Sequence, residues 1–175
     1  MLRTKTGCDI IMLSANSLQE DKMKKIISVV LIACLCLALA SCSSKNAVSA
    51  QAFASKAESL GLNTQDTSAD YASYSHVLSS TTAFQSDGSS ILWQADFLVA
   101  NSHENAMSMF ETNKAKFESV NGVMSSVTMV NYAAYERIGS GKYMYLSCVD
   151  STLLYVNIDE EYMDAAKNLV KALGY

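Results

Sequence analysis

The sequence predicts an α+β domain: an antiparallel β-sheet of about six strands, built from hairpins, with about three helices packed on one face and a signal-peptide helix in front. Three observations carry this expectation. Apolar runs with strand character flank tight-turn signals at Asp87-Gly88 and Asp150-Ser151. Three windows repeat apolar residues at helical spacing between recognisable caps. The chain lacks the strand–helix–strand alternation that would build a parallel sheet.

The first helix is expected over residues 48–60, with Phe53, Ala57 and Leu60 on one face and Gly61 as the glycine that ends it. Residues 63–71 are polar and read as a loop. Residues 77–85 and 90–100 form the first hairpin. A two-residue Asp87-Gly88 turn would pair Phe84 with Ile91, Thr82 with Trp93, Ser80 with Ala95 and Leu78 with Phe97. Ile91, Trp93, Ala95, Phe97 and Val99 then share the core face, while Gln94 and Asp96 lie on a wet one. Ser102 is placed to cap a helix over residues 103–120, which Asn121-Gly122 closes and whose buried stripe is Ala106, Phe110, Phe117 and Val120.

Residues 123–130 and 132–138 read as two strands or one long bent one, before a turn at Gly139-Ser-Gly141. Residues 142–149 and 153–158 form the second hairpin. With a two-residue Asp150-Ser151 loop, Cys148 faces Leu153 and Leu146 faces Tyr155. With Thr152 added to the loop, Met144, Leu146, Cys148, Leu154, Val156 and Ile158 share one face. The second register separates apolar from polar side chains and is preferred on that ground. Asp159 is then expected to cap a last helix over 160–173, its inner face Tyr162, Ala166, Leu169, Val170 and Leu173, ended by Gly174.

The amino-terminal part has a different character. Residues 26–40 are apolar apart from Ser28, follow Lys24 and Lys25, and end in Ser41-Cys42. A basic start, an apolar stretch and small residues at its end make a secretory signal. The stretch is 15 residues long, short of the roughly 20 that cross a bilayer as a helix. Leu39-Ala40-Ser41-Cys42 resembles the lipobox of bacterial lipoproteins. That resemblance covers residues 23–42. It implies that Cys42 takes a diacylglyceryl group and that the bond between Ser41 and Cys42 is cut, leaving the protein held to the cell membrane on its extracytoplasmic side. Residues 23–41 are then the signal peptide, 42–47 a short polar tether and 48–175 a single α+β domain. Residues 1–22 read as a start-site artefact or a signal prefix.

Five of the thirteen basic and three of the seventeen acidic residues precede Cys42, so the exported part carries a net charge of −6. Such a surface excludes the basic footprint of a nucleic-acid binder and the polybasic patch that reads anionic lipid. Cleavage leaves two of the five cysteines, Cys42 and Cys148. The exported domain therefore relies on its core, and its 134 residues suffice for one.

Catalytic and metal motifs are missing. His76 and His103 have no cysteine or second histidine at zinc-ligand spacing. Met107 and Met109 beside His103 could suit a soft metal, but methionines commonly fill cores. No serine sits in a nucleophile elbow or a Ser-x-x-Lys motif. Gly139-Ser-Gly-Lys142 lacks the full phosphate-cradling pattern, and Asp159-Glu160-Glu161 has a structural reason at a helix start. Cys148 is expected between Leu146 and Val156 in the core, where a thiol is inert. Neither cofactor nor metal is expected, nor is enzymatic activity. The preferred register puts Tyr145 and Tyr155 on an outer sheet face with Ser147 and Asn157; Tyr145, Tyr155 and Asn157 are the candidate interaction surface.

The exported part also resembles small low-cysteine α+β lipoproteins of Gram-positive cell surfaces. The reading that follows is a non-enzymatic binding or interaction module of the cell envelope, taking an envelope protein or a small ligand. An accessory or sensor subunit docked on a membrane complex is the second reading, and an envelope enzyme the third.

Overall fold

The computed structural model describes residues 44–175. The segment read as a signal peptide, the expected Ser41–Cys42 cleavage site and the expected lipidation site Cys42 lie outside them. Seven strands form one antiparallel sheet: β1 (Asn63–Asp66), β2 (Val77–Ser86), β3 (Ile91–Ala100), β4 (Val123–Thr128), β5 (Tyr132–Gly139), β6 (Lys142–Val149) and β7 (Thr152–Asp159). Their spatial order is β1-β2-β3-β7-β6-β5-β4. Three α-helices accompany them: α1 (Ala50–Ser59), α2 (His103–Glu118) and α3 (Met163–Leu173). The α+β class and the antiparallel sheet expected from the sequence are thus observed. The seventh strand is β1, from the segment read as loop. Its polar side chains hide its strand character because they remain mostly exposed at the sheet edge.

The helices occupy both faces of the sheet, which corrects the expectation of one. Phe53 and Ala57 of α1 and Ala166, Leu169 and Leu173 of α3 pack over Trp93, Ala95, Phe97, Tyr143, Tyr145 and Val156. Ala106, Phe110 and Phe117 of α2 pack on the other side, over Leu98, Tyr135, Leu146, Cys148 and Leu153. The reason lies in β6. Its residues from Tyr143 to Val149 are all buried, so neighbouring side chains, which point to opposite faces, both need cover.

Two-sided burial also decides the second hairpin. The observed pairs are Val149 with Thr152, Cys148 with Leu153 and Leu146 with Tyr155. The loop is therefore Asp150-Ser151, and the preferred three-residue loop is wrong. Sorting apolar from polar side chains picks a register only where one face is wet. Here both faces are dry and the turn chemistry decides: Asp150 takes the left-handed backbone conformation (φ 49°) of a tight two-residue turn.

The first hairpin departs from expectation in the opposite sense. The Asp87 carboxylate accepts hydrogen bonds from the Ser89 and Ser90 amides, both at 2.8 Å. This opens the loop to residues 87–90, with Gly88 at φ 92°. Ser86 now pairs with Ile91, and a bulge between Gln85 and Ser86 sets Gln85 against Trp93, Ala83 against Ala95 and Thr81 against Phe97. Ala83 thereby joins the first core, and Thr82 moves to the opposite face, across from Asp96.

Caps account for the helix starts. Ser49 and Ser102 accept from the amides of Ala52 and Asn105, satisfying donors a helix start leaves free. Asp159 makes no such cap; its carboxylate takes the Lys142 ammonium at 2.6 Å. A short 3-10 turn, Glu160–Tyr162, intervenes before α3. At the far edge β4 is exposed along its whole length, and Val123 and Val130 are 77% and 97% exposed. None of the described helices is long and apolar enough to cross a membrane.

Candidate functional site

The expected tyrosine surface is not assembled. Opposed residues in an antiparallel pair share a face, and Tyr145 is opposed by Val156, not aligned with Tyr155. Tyr145 is buried in the first core. Burial, with further contributions from Tyr132 and Tyr143, pushes its phenol far above the ordinary range. Tyr155 faces the other way, with its ring 5.4 Å from Phe117 of α2. Asn157 is exposed two residues further along that face, its amide 3.5 Å from the Tyr155 hydroxyl.

Tyr155 instead belongs to a cross-strand row. Gln65, Thr82, Asp96, Tyr155, Leu146 and Tyr135 stand in register across β1, β2, β3, β7, β6 and β5. Helix α2 packs over the Leu146–Tyr135 end of this row. The β1–β2 end lies beyond it. There the chain returns as a strap over residues 67–76, containing the 3-10 helix Ser68–Tyr71. Backbone and side chains pin the strap to β2: the Thr67 amide donates to the Ser80 carbonyl at 3.0 Å, the Ser80 amide donates to Ser68 Oγ at 3.0 Å, and the Thr67 hydroxyl lies 2.9 Å from that of Ser80.

Between α2 and the strap lies a cleft of about 440 Å³, with Asp96, Leu98, Leu153 and Tyr155 as its floor. Met109, Thr112, Asn113 and Lys116 form the α2 wall, and Tyr71, Tyr74 and His76 the opposite one. A second lobe of about 460 Å³ continues toward β1 and shares Tyr71, Tyr74 and Asp96. Each lobe falls in the range of small-molecule sites, roughly 300–1,000 Å³. The strap's aromatic rings touch one another: Tyr71 and Tyr74 have centroids 6.1 Å apart, Tyr74 and His76 5.9 Å.

Asp96 is the electrostatic centre of the cleft. The Thr82 hydroxyl donates to its Oδ1 at 2.7 Å, and none of the ion pairs among the described residues includes it. Burial raises its carboxyl above the usual range, against the lowering effect of hydrogen bonds from Thr82 and Gln94. Burial and then the neighbouring Asp96 charge push the Tyr71 phenol up. A carboxyl whose folded pKa is raised favours the folded state less as pH climbs from its unfolded range through the folded value. Asp96→Asn should therefore melt no lower than wild type at pH 7, and the difference should shrink toward pH 3, as followed by circular dichroism.

The other sequence candidates disperse. His103 donates from Nδ1 to the Asp150 carbonyl at 2.7 Å and so holds α2 to the β6–β7 turn. Met107 packs against the second core while Met109 lines the cleft. Among the described residues no three His, Cys, Asp or Glu side chains gather at metal-binding distance. Cys148 is fully buried beside Leu146 and Leu153, and burial, followed by the Asp150 charge, raises its thiol to about 12. We expect it to resist Ellman's reagent at pH 8 in the folded protein and to react stoichiometrically in guanidinium; rapid labelling without denaturant would contradict its placement.

Sequence reasoning missed Asp96, Thr82, Tyr71, Tyr74 and the role of His76. One signal was available: Asp96 is the only charged residue in β3, Ile91–Ala100, whose other positions are nearly all apolar.

The sequence matches no protein-family model and no curated protein. Two solved structures align with the chain. One is a GTP-binding regulator from Thermotoga maritima, with 13% identity and a TM-score of 0.47, covering 74% of this chain and 91% of the other. The second is the extracellular domain of PknH from Mycobacterium tuberculosis, with 11% identity and a TM-score of 0.36, covering 59% and 68%.

Proposed function

We propose that this protein is a non-enzymatic binding module of the cell envelope, tethered to the membrane through lipid on Cys42, which holds a ligand in the cleft between α2 and the strap. The observation that carries the binding reading is the cleft itself. It is concave, of ligand size, walled by aromatic rings and floored by a half-buried carboxylate; apolar walls with few convergent polar groups are the usual make-up of a ligand site. The lipobox at Leu39-Ala40-Ser41-Cys42 supports the tether. A docked accessory or sensor subunit is the second reading, favoured by the exposed apolar edge strand β4, since open edges pair readily with other chains.

Thr112 lies on the exposed side of α2 and lines the cleft, so Thr112→Trp should fill the cleft without disturbing the core. Wild type and this variant are extracted from native membranes in mild detergent, and the retained small molecules and proteins are identified by mass spectrometry. The reading expects at least one compound retained by wild type and lost from Thr112→Trp. Identical retained sets would remove the cleft from the function.

A further inference from the structure

Granting that the cleft binds a ligand, we propose that its ligand is a small organic cation: an ammonium group seated on the Asp96 carboxylate, with its alkyl substituents against Tyr71, Tyr74 and Tyr155. The inference deepens the binding reading and depends on it.

Charge supplies the first argument. Across both lobes the lining holds the carboxylates Asp70 and Asp96 against one permanent cation, Lys116, with His76 as the remaining titratable base. The Lys116 ammonium is engaged 3.2 Å from Asn113 Oδ1 on its own helix. Asp96, deeper on the sheet, has only the neutral donors Thr82 and Gln94 and no ion-pair partner among the described residues. A half-buried carboxylate without a counter-charge gains most from a cationic ligand, because the ligand replaces water that burial has already removed. An anion would meet two carboxylates, and a purely apolar ligand would desolvate Asp96 further with nothing in return.

The aromatic walls supply the second argument. Tyrosine faces attract alkylammonium groups through their ring quadrupole, on the order of 0.5–2 kcal/mol per contact as water is excluded. Tyr71 and Tyr74 come from the strap and Tyr155 from β7, where it pairs with Asp96, so tyrosines from two elements line the cleft that holds the carboxylate. The acidic exported part, at net −6, adds a field that draws cations toward it. The lobe volume of about 440 Å³ favours a free small molecule.

The test uses the full chain purified in octyl glucoside, which has no amine of its own. Choline is titrated by calorimetry alongside 3,3-dimethyl-1-butanol, its neutral isostere. The expected result is choline binding at least tenfold tighter than the isostere. Asp96→Asn should weaken choline at least tenfold. Tyr74→Leu, at a position exposed enough to leave folding untouched, should weaken it several-fold. Equal affinity for choline and its isostere, or undiminished choline binding by a folded Asp96→Asn protein, would overturn the proposal. So would absence of choline binding while a lysine-bearing peptide binds, which would make the occupant a protein side chain. If Thr112→Trp still abolishes retention of a native compound in any of these cases, the cleft survives as a binding site and only the cationic class is lost.

Discussion

Alanine at Phe97 should destabilise the folded domain by about 3–5 kcal/mol. Phe97 is fully buried on the first face of β3, and its ring stacks on Phe53 of α1 with centroids 4.8 Å apart and planes 11° from parallel. Truncation removes the transfer energy of a benzyl group and leaves a cavity bounded by Ala83, Ala95 and Leu154, which β-strands cannot close by shifting. It also loses the stacked pair, worth roughly 0.5–1.5 kcal/mol beyond buried area. Set against a total stability of about 5–15 kcal/mol, the loss should lower Tm by on the order of 10 °C or more. Leu78→Ala, at a side chain 65% exposed, should stay within about 0.5 kcal/mol of wild type. A Phe97→Ala protein melting like wild type would mean that α1 does not pack on the sheet as described.

Serine at Cys42 should abolish lipid labelling and stop processing. On the proposed anchoring, the lipid is carried by the Cys42 thiol, which a hydroxyl cannot replace. Labelled palmitate should enter wild type and be absent from Cys42→Ser, and the variant should keep the signal residues up to Ser41. Mass spectrometry of the intact chains reads both effects. The size of the effect follows from acyl-chain partitioning: each buried CH₂ contributes about 0.8 kcal/mol, one chain holds marginally, and two hold stably. Palmitate incorporation into Cys42→Ser at the wild-type level would exclude Cys42 as the anchor.

Local chemistry was the readable part of the fold. Ser102 before α2, Gly61 after α1 and Gly174 after α3 mark helix ends because a cap acts within one turn of chain. Both hairpins were placed on turn residues for the same reason. Registers were harder, and the two failures differ in cause. The first rested on a two-residue Asp87-Gly88 turn, which the Asp87 carboxylate opens by accepting from the Ser89 and Ser90 amides. The second was argued from a core face opposed to a wet face, yet β6 and most of β7 are buried on both. The near-continuous apolar run from Tyr143 to Val149 signalled this, since strands covered on both sides lose their alternation.

The site suffered directly from those registers. In the expected first register Thr82 faced Trp93, and Asp96 lay on a wet face. The bulge at Gln85–Ser86 reverses this and sets Thr82 against Asp96. In the expected second register Tyr145 and Tyr155 pointed the same way; the observed one buries Tyr145 and sends Tyr155 to the cleft floor. The strap could not be foreseen from residues 67–76, because its position depends on hydrogen bonds that join Thr67 and Ser68 to Ser80, on a strand more than ten residues away.

The central claim is that the cleft, and not the open edge of the sheet, is the surface this protein uses. Radical footprinting of native membranes, before and after dialysis in octyl glucoside strips bound molecules, compares the two within one sample. Tyr71, Tyr74 and Met109 report on the cleft, while Met124 and Met129, both exposed, report on β4 and its following turn. Protection of the first group in native membranes, released on stripping, with Met124 and Met129 oxidised equally throughout, is the predicted result. Protection confined to Met124 and Met129, with the cleft residues unchanged, would contradict it.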